Sequence, residues 1–223
     1  MGDVSFDWSH IWRELPPLLG GLLTTIWLAA ACLLLSLAIG YLGAAISFFE
    51  VPVARRILRG YVALIRNTPL LVQIFFFYYG LPEIGVRASA VITGIVVLSI
   101  WGGAYNVENI RGGIEGVPRD LIEAGRALGL RGGRIFLLIV IPIATRTVIP
   151  AMMNTAVSIT KNTSLLQAIG VAEFTYVAMD DMANSYRTLE MFFALFVGYL
   201  AIVLAMSAAA AMLEARLGRG FAR

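Results

Sequence analysis

The chain has 223 residues, 59% of them hydrophobic and 14% charged, where soluble domains run near about 45–50% apolar and about 25% charged. That excess of apolar surface excludes an ordinary soluble domain and calls for burial in lipid. The formal net charge of +3 is scattered in ones and twos near the ends of apolar runs, with no basic stripe or aromatic-interleaved patch; it excludes a nucleic-acid binder and fits a membrane topology.

At the N-terminus, "MGDVSFDWSHIWRELPP" sets Asp3, Asp7 and Glu14 against Arg13. The basic flank of a cleavable signal is missing, so the first apolar run is expected to stay in the mature protein. Trp8, Ile11, Trp12 and Leu15 fall at helical spacing, either as an interfacial helix or as a plain anchor ahead of the first span. His10 is the only histidine and has no ligand partner in the sequence around it, so it is expected to face solvent rather than hold a metal. Cys32 is the only cysteine, which rules out an intrachain disulfide and a cysteine metal cluster.

Five apolar segments follow, at about Leu22–Phe49, Tyr61–Leu81, Ala88–Tyr105, Ile135–Ile159 and Leu189–Leu213. Roughly 20 helical residues cross a bilayer core about 30 Å thick, and no alternation typical of a closed β-barrel competes. Lys and Arg mark cytoplasmic loops. Arg55, Arg56 and Arg59 after the first segment, Arg111, Arg119, Arg126, Arg131 and Arg134 after the third, and Arg216, Arg219 and Arg223 in the tail are therefore assigned inside. The N-terminus with Arg13, the second loop with Arg87, and the Ser158–Leu189 connection, where Lys161 and Arg187 stand beside Glu173, Asp180 and Asp181, are assigned outside. The sequence predicts an all-α membrane protein of about five transmembrane helices, N-terminus outside and C-terminus inside. Residues 1–19 form an extracytoplasmic or interfacial segment, 20–213 the transmembrane domain and 214–223 a cytoplasmic tail.

Between the third and fourth segments, "VPRDLIEAGRALGL" predicts a short cytoplasmic helix over about 118–129. Pro118 suits its first position, Asp120 and Glu123 its positive N-terminal end, and Gly129 a left-handed stop. Ala124, Gly125 and Ala127 keep its surface low, which suits insertion into another protein's cleft. The plain alternative is an amphipathic helix lying on the membrane.

This stretch resembles the cytoplasmic signature of ABC importer permeases: glutamate, two alanines, three residues, glycine, nine residues, isoleucine-x-leucine-proline. Here it is Glu123, Ala124, Gly125, then Gly129, then Ile139, Ile141 and Pro142, with Gly125 for the second alanine and Ile141 for leucine. Gly125 costs about 0.8–1 kcal/mol of helix propensity. "RNTPLLVQIFFFYYGLP", "GAYNVENIRGGIEGVP" and "KNTSLLQAIGVAEFT" look like permeases of polar amino-acid importers of the histidine/glutamine type. The resemblance implies a type I ABC importer permease fold in the cell (inner) membrane, with Pro118, Glu123, Ala124, Gly125, Arg126, Gly129, Ile139 and Pro142 coupling it to an ABC ATPase. It further implies an extracytoplasmic amino-acid-binding protein and a homodimer or a heterodimer with a related permease. The only lysine, Lys161, follows Thr160, so a P-loop is impossible. This chain is expected to bind no cofactor and to be no enzyme; ATP and Mg²⁺ would be used by the separate ATPase.

Polar groups at membrane depth usually face a bundle interior, a pathway or a partner. Asn154, Ser158 and Asn162 recur every four residues on the fourth segment with Lys161 beside them, while Pro142 and Pro150 are expected to bend or interrupt it. On the second segment Gln73 shares a face with Arg66. Two readings stay open: a path for an amino acid, or interhelical hydrogen-bond glue worth about 0.6–2 kcal/mol per contact. Arg66 and Arg146 are expected near the inner surface, where Glu108 could pair with such an arginine. Ala201, Ala205 and Ala209 permit tight helix packing. The ribbon carries no carboxylate and the nearest acids, Glu108 and Glu173, are expected toward opposite surfaces, so neutral or acidic cargo is favoured over arginine or lysine. The functional alternative to the permease subunit is a self-sufficient ion-coupled secondary carrier, for which five spans are few and inverted repeats are not apparent.

Overall fold

A computed structural model describes residues 6–218; Asp3 and the tail's Arg219 and Arg223 lie outside the described residues, as does the side chain of Arg216. The described elements are all helical. In chain order they are α1 (Trp8–Phe48), α2 (Pro52–Arg66), α3 (Leu70–Phe75), α4 (Ala90–Glu115), α5 (Arg119–Ala127), α6 (Gly132–Ile135), α7 (Ile141–Asn162), α8 (Phe174–Ser185) and α9 (Thr188–Gly218). Four helices are long and apolar enough to cross a membrane, and a bent pair brings the number to five if it counts as one span.

The scaffold is a three-helix sandwich closed by glycines. Cys32, Ser36, Gly40 and Gly43 on α1 meet Ile95, Gly102, Asn106 and Val107 on α4 in ascending order, so the two helices run parallel. Gly94, Gly102 and Gly113 on α4 meet Leu166, Ile159 and Val148 in descending order, so α7 runs antiparallel to α4. Lipid supplies no hydrophobic drive between helices, and small residues let backbones approach until dispersion and hydrogen bonds hold them. Gly113 is a tight case against backbone as well as side chain, because a methyl there would lie 2.5 Å from a Val148 methyl and 2.9 Å from the Ala144 carbonyl oxygen.

This register puts the start of α1, the start of α4 and the end of α7 at one end of the bundle, and Phe48, Glu115 and α5 at the other. The sequence-derived alternation requires that grouping.

Several expectations are corrected. The N-terminal segment is no separate interfacial helix: α1 is continuous for 41 residues through Pro16 and Pro17, about 60 Å at 1.5 Å per residue, twice the bilayer core. No break separates residues 8–19 from the first span. Its overhanging end packs through Leu18 against Phe174, Ala178 and Met191, which offsets the two hydrogen bonds that the prolines cannot donate.

His10 is buried rather than solvent-facing, with Nε2 2.8 Å from Asp181 Oδ2. The second segment is not one straight rod, because Pro52–Arg66 and Leu70–Ile84 meet at 107° where Pro69 steers Thr68 away from the helical region. The third helix runs ten residues beyond Tyr105, to Glu115. Pro150 does not interrupt α7; the irregular turns are instead a π turn at Phe136–Val140, just before Pro142, and a 3₁₀ turn at Thr163–Ile169.

The Ser158–Leu189 connection contains α8, closed by Tyr186 in the left-handed region at φ 59°. The last span is peripheral, only 6% of its apolar window being buried. Ala201, Ala205 and Ala209 are all exposed and pack no helix tightly within the chain.

Adjacent glycines on α4 provide a test of this packing. Gly113→Ala is expected to destabilise by about 1–3 kcal/mol through overpacking, whereas Gly112→Ala, with nothing within 4 Å, should gain up to about 1 kcal/mol of helix propensity. Thermal midpoints of the detergent-solubilised protein read both, and equal shifts would contradict the close approach of α4 and α7.

Candidate coupling and translocation site

The short helix forms where its local chemistry places it. Pro118 stands at the N-cap rather than at the first helical position, Asp120 occupies the first turn and Arg126 the last, so both charges complement the helix dipole. Gly129 takes φ 76°, donating its N–H to Arg126 O at 2.9 Å while Leu130 donates to Gly125 O at 3.0 Å. That pair of bonds is the Schellman stop, and a side chain at Gly129 would be strained in it.

The signature residues split between two faces. Glu123, Ala124, Arg126 and Ala127 are exposed, and Leu128, 81% exposed, stands out most. Gly125 is buried on the opposite side, where a methyl would come within 2.8 Å of Ile139 Cδ1 and 3.4 Å of Ile135 Cγ1. Beneath it Val117, Ile135, Phe136, Val140 and Ala144 form an apolar seat. Of the two positions read together as low surface, Ala124 is therefore open and Gly125 is the foot of the helix on its own chain. Pro142 lies in the first turn of α7, directly after the π turn that carries Ile139. The seat was not legible, because its residues sit in a run of apolar side chains with no distinguishing local feature.

On α7, Asn154 and Lys161 are exposed and Ser158 and Asn162 half-buried, and none of these four side chains makes a hydrogen bond or ion pair among the described residues. Gln73 is placed differently. Its Nε2 donates to Ile65 O at 2.9 Å, Thr68 O at 3.1 Å and Thr68 Oγ1 at 2.7 Å, satisfying carbonyls freed by the α2–α3 break, while its buried Oε1 has no partner among the described residues.

Two polar groupings were not anticipated. Asn106 Nδ2 donates to Ser36 Oγ at 3.1 Å and Asn109 Nδ2 to Thr155 Oγ1 at 3.0 Å, linking α1, α4 and α7 inside the bundle. The three-residue spacing of two asparagines in an apolar helix is the signal that could have found it. Glu173, fully buried, caps α8 by accepting N–H bonds from Thr175 at 2.9 Å and Tyr176 at 2.8 Å, and its carboxylate takes the Tyr199 hydroxyl at 3.0 Å and the Thr25 hydroxyl at 3.4 Å. Burial pushes its carboxyl above the usual range against the pull of these donors.

Glu108 pairs with Arg111 at 2.8 Å and lies 3.9 Å from Arg66, whose guanidinium also sits 5.0 Å over the Tyr105 ring. As expected from sequence, the two acids lie toward opposite ends, Glu173 beside Gly21 and Val107, next to Glu108, beside Gly43, roughly 30 Å apart along α1.

Comparison with known proteins agrees with this geometry. The family model described as "binding-protein-dependent transport system inner membrane component" matches residues 36–219. The chain is 33% identical to the probable amino-acid ABC transporter permease protein PatM of Vibrio harveyi, over 99% of this chain and 100% of that protein. It is 34% identical to the glutamine transport system permease protein GlnP of Escherichia coli, over 96% and 99% respectively.

Among solved structures, the crystal structure of an amino acid ABC transporter with histidines superimposes with a TM-score of 0.87 at 27% identity, covering 96% of this chain and all of that one. An inward-facing MetNI methionine ABC transporter shares the fold, with a TM-score of 0.80 at 16% identity over 92% and 98%. A self-sufficient secondary carrier is thereby set aside. The chain belongs to the binding-protein-dependent transport system inner membrane components, the multi-pass permease subunits of ABC transporters.

Proposed function

We propose that this chain forms the translocation pathway of an ATP-driven importer of polar amino acids, as a homodimer or paired with a related permease, with α5 in the cytoplasm and the His10–Asp181 end outside. A separate ABC ATPase docks on α5 and uses ATP and Mg²⁺, while an extracytoplasmic binding protein delivers cargo at the far end. Amino-acid cargo is supported by the relatives named above, and the orientation by the Lys and Arg distribution.

One observation carries the reading. The helix that offers Glu123, Ala124 and Leu128 outward is seated through Gly125 on Ile139, and Ile139 lies on the same helical rod as Asn154, Ser158 and Asn162. Fifteen residues of helix separate Ile139 from Asn154, roughly 22 Å. A displacement of α5 by closing ATPases thus passes through an apolar contact into a rod whose far half bears unspent polar groups. These can receive a zwitterion, whose carboxylate seeks donors and whose ammonium seeks acceptors. Glu108 is held by arginines and Glu173 by its cap, so neither offers a free carboxylate to a cationic side chain. Neutral or acidic polar amino acids fit this best.

Ala124→Trp or Leu128→Glu should abolish cargo-stimulated ATP hydrolysis while membrane insertion stays normal. Gly125→Ala should keep it, because Ile139 Cδ1 is a mobile methyl, whereas Gly125→Leu should lose it by unseating the helix. Uninterrupted stimulation in all four variants would show that α5 does not couple.

With the binding protein held constant, Asn162→Asp should shift uptake toward cationic amino acids if the ribbon touches cargo. An unchanged preference with normal ATP hydrolysis would leave selectivity to the binding protein. For orientation, cysteines placed singly at Asp180 and Glu123 in a Cys32→Ser background should react with an impermeant thiol reagent on intact cells at Asp180 alone.

A further inference from the structure

A cavity of about 240 Å³ opens between the end of α1, the first half of α2 and the last third of α4. Three guanidinium groups line it, from Arg55, Arg59 and Arg111, with Ser47 and a single carboxylate, Glu108; Leu58 and Val107 make an apolar floor. Three cations against one anion, in a recess walled by helices, leave a local excess of positive charge.

The partners within the chain do not remove that excess. Glu108 is already spent on Arg111 and lies 3.9 Å from Arg66. Arg111 has five N–H groups, of which the carboxylates of Glu108 and Glu115 take three, leaving two. Arg55 meets Glu50 only at 3.6 Å with both side chains well exposed, an arrangement worth little. Arg59 has no carboxylate within 4.0 Å among the described residues.

The surroundings indicate what kind of anion fits. The recess lies at the α5 end of the bundle, where α1 ends and α4 is four residues from its own end. The apolar wall of the recess is Leu58, Val62 and Val107; Val53, Ile57 and Leu64, 64–69% exposed, stand on the other face of α2. Guanidinium forks match phosphate oxygens in two-point hydrogen bonds, and basic pockets between membrane helices on the cytoplasmic side hold anionic headgroups.

We propose that this recess binds the phosphate headgroup of an anionic phospholipid of the inner leaflet, with Arg59 and the two remaining donors of Arg111 on the phosphate oxygens. The bound lipid bridges α2 to α4 below the 107° bend. The assignment to the inner leaflet rests on the orientation given above; the phosphate site does not.

Native mass spectrometry of the purified transporter, titrated with phosphatidylglycerol or phosphatidylcholine of identical chains, tests it. The unmodified protein should retain phosphatidylglycerol at least fivefold over phosphatidylcholine. Arg59→Gln, which removes a side chain with no intrachain ion pair and so leaves the fold intact, should bring the two within twofold; Arg59→Lys should keep part of the preference. Arg87→Gln, at the opposite end, should keep all of it.

Equal retention of both lipids by the unmodified protein, or an unchanged preference in both Arg59→Gln and the Arg55→Gln/Arg59→Gln double variant, overturns the proposal. Displacement of phosphatidylglycerol by millimolar inorganic phosphate would identify a soluble anion as the occupant and also overturn it. So would loss of the ATPase subunit from Arg59→Gln with the lipid preference intact, which would make the arginines part of a protein interface. Thiol labelling that placed Asp180 inside would move the lipid to the other leaflet and overturn the orientation, while the phosphatidylglycerol preference in detergent stands or falls separately.

Discussion

A bilayer offers its interior no water, so each backbone N–H and C=O that leaves the regular helical ladder must find a partner inside the protein. Three irregular points of this chain, one within a span and two in the connections, are each repaired from inside the chain. Where α2 breaks before Pro69, the amide of Gln73 takes up the carbonyls of Ile65 and Thr68. Where α8 begins, Glu173 covers the first N–H groups and takes hydroxyls from two other helices. Where α5 stops, Gly129 and Leu130 turn their N–H groups back onto it. In each case the side chain or backbone that repairs the ladder also fixes the direction of the next element. The 107° bend, the α8–α9 hairpin and the seat of α5 are therefore as determinate as the spans.

Within the spans the governing term is distance of approach. Glycine faces on α1 and α4 bring backbones close enough for Asn106 to reach Ser36 and for Asn109 to reach Thr155. A buried amide left unpaired in a low dielectric costs more than the bond it would make, so the close packing and the polar links require one another. The outer helix α9 has neither feature along most of its length, touching the bundle chiefly through the Met191 and Tyr199 region and a Thr160–Met206 contact.

Local chemistry was legible in the sequence, and contacts between distant segments were not. Gly129, Asp120 and the end of α5 could be read because a left-handed stop and a dipole-matched turn are written within a dozen residues. Five apolar stretches and their alternating charges gave the spans and their relative sidedness. Hydropathy carries no direction, however, so the two apolar halves around Pro69 looked like one rod, and the segment ahead of the first apolar run looked separate from a helix that is continuous from Trp8 to Phe48. His10 and Asp181 lie 171 positions apart, and no local pattern could have paired them. Gly125 looked like one more small residue on a low face until Ile139 appeared beneath it.

Small residues on opposite faces of one short helix can thus serve different ends. A helix proposed to couple needs one open face and one fixed face, and small side chains satisfy the two for different reasons. At Ala124 smallness keeps the exposed face low; at Gly125 it shortens the distance to Ile139, so that the apolar contact has little slack. The π turn beneath, Phe136–Val140, widens the helix by one residue where it meets that contact and turns Ile135 and Ile139 toward the same glycine. The rod continues from there to Asn162 through Pro142 and Pro150, so Ile139 beneath α5 and the open polar groups of Asn154, Ser158 and Asn162 share one helical element.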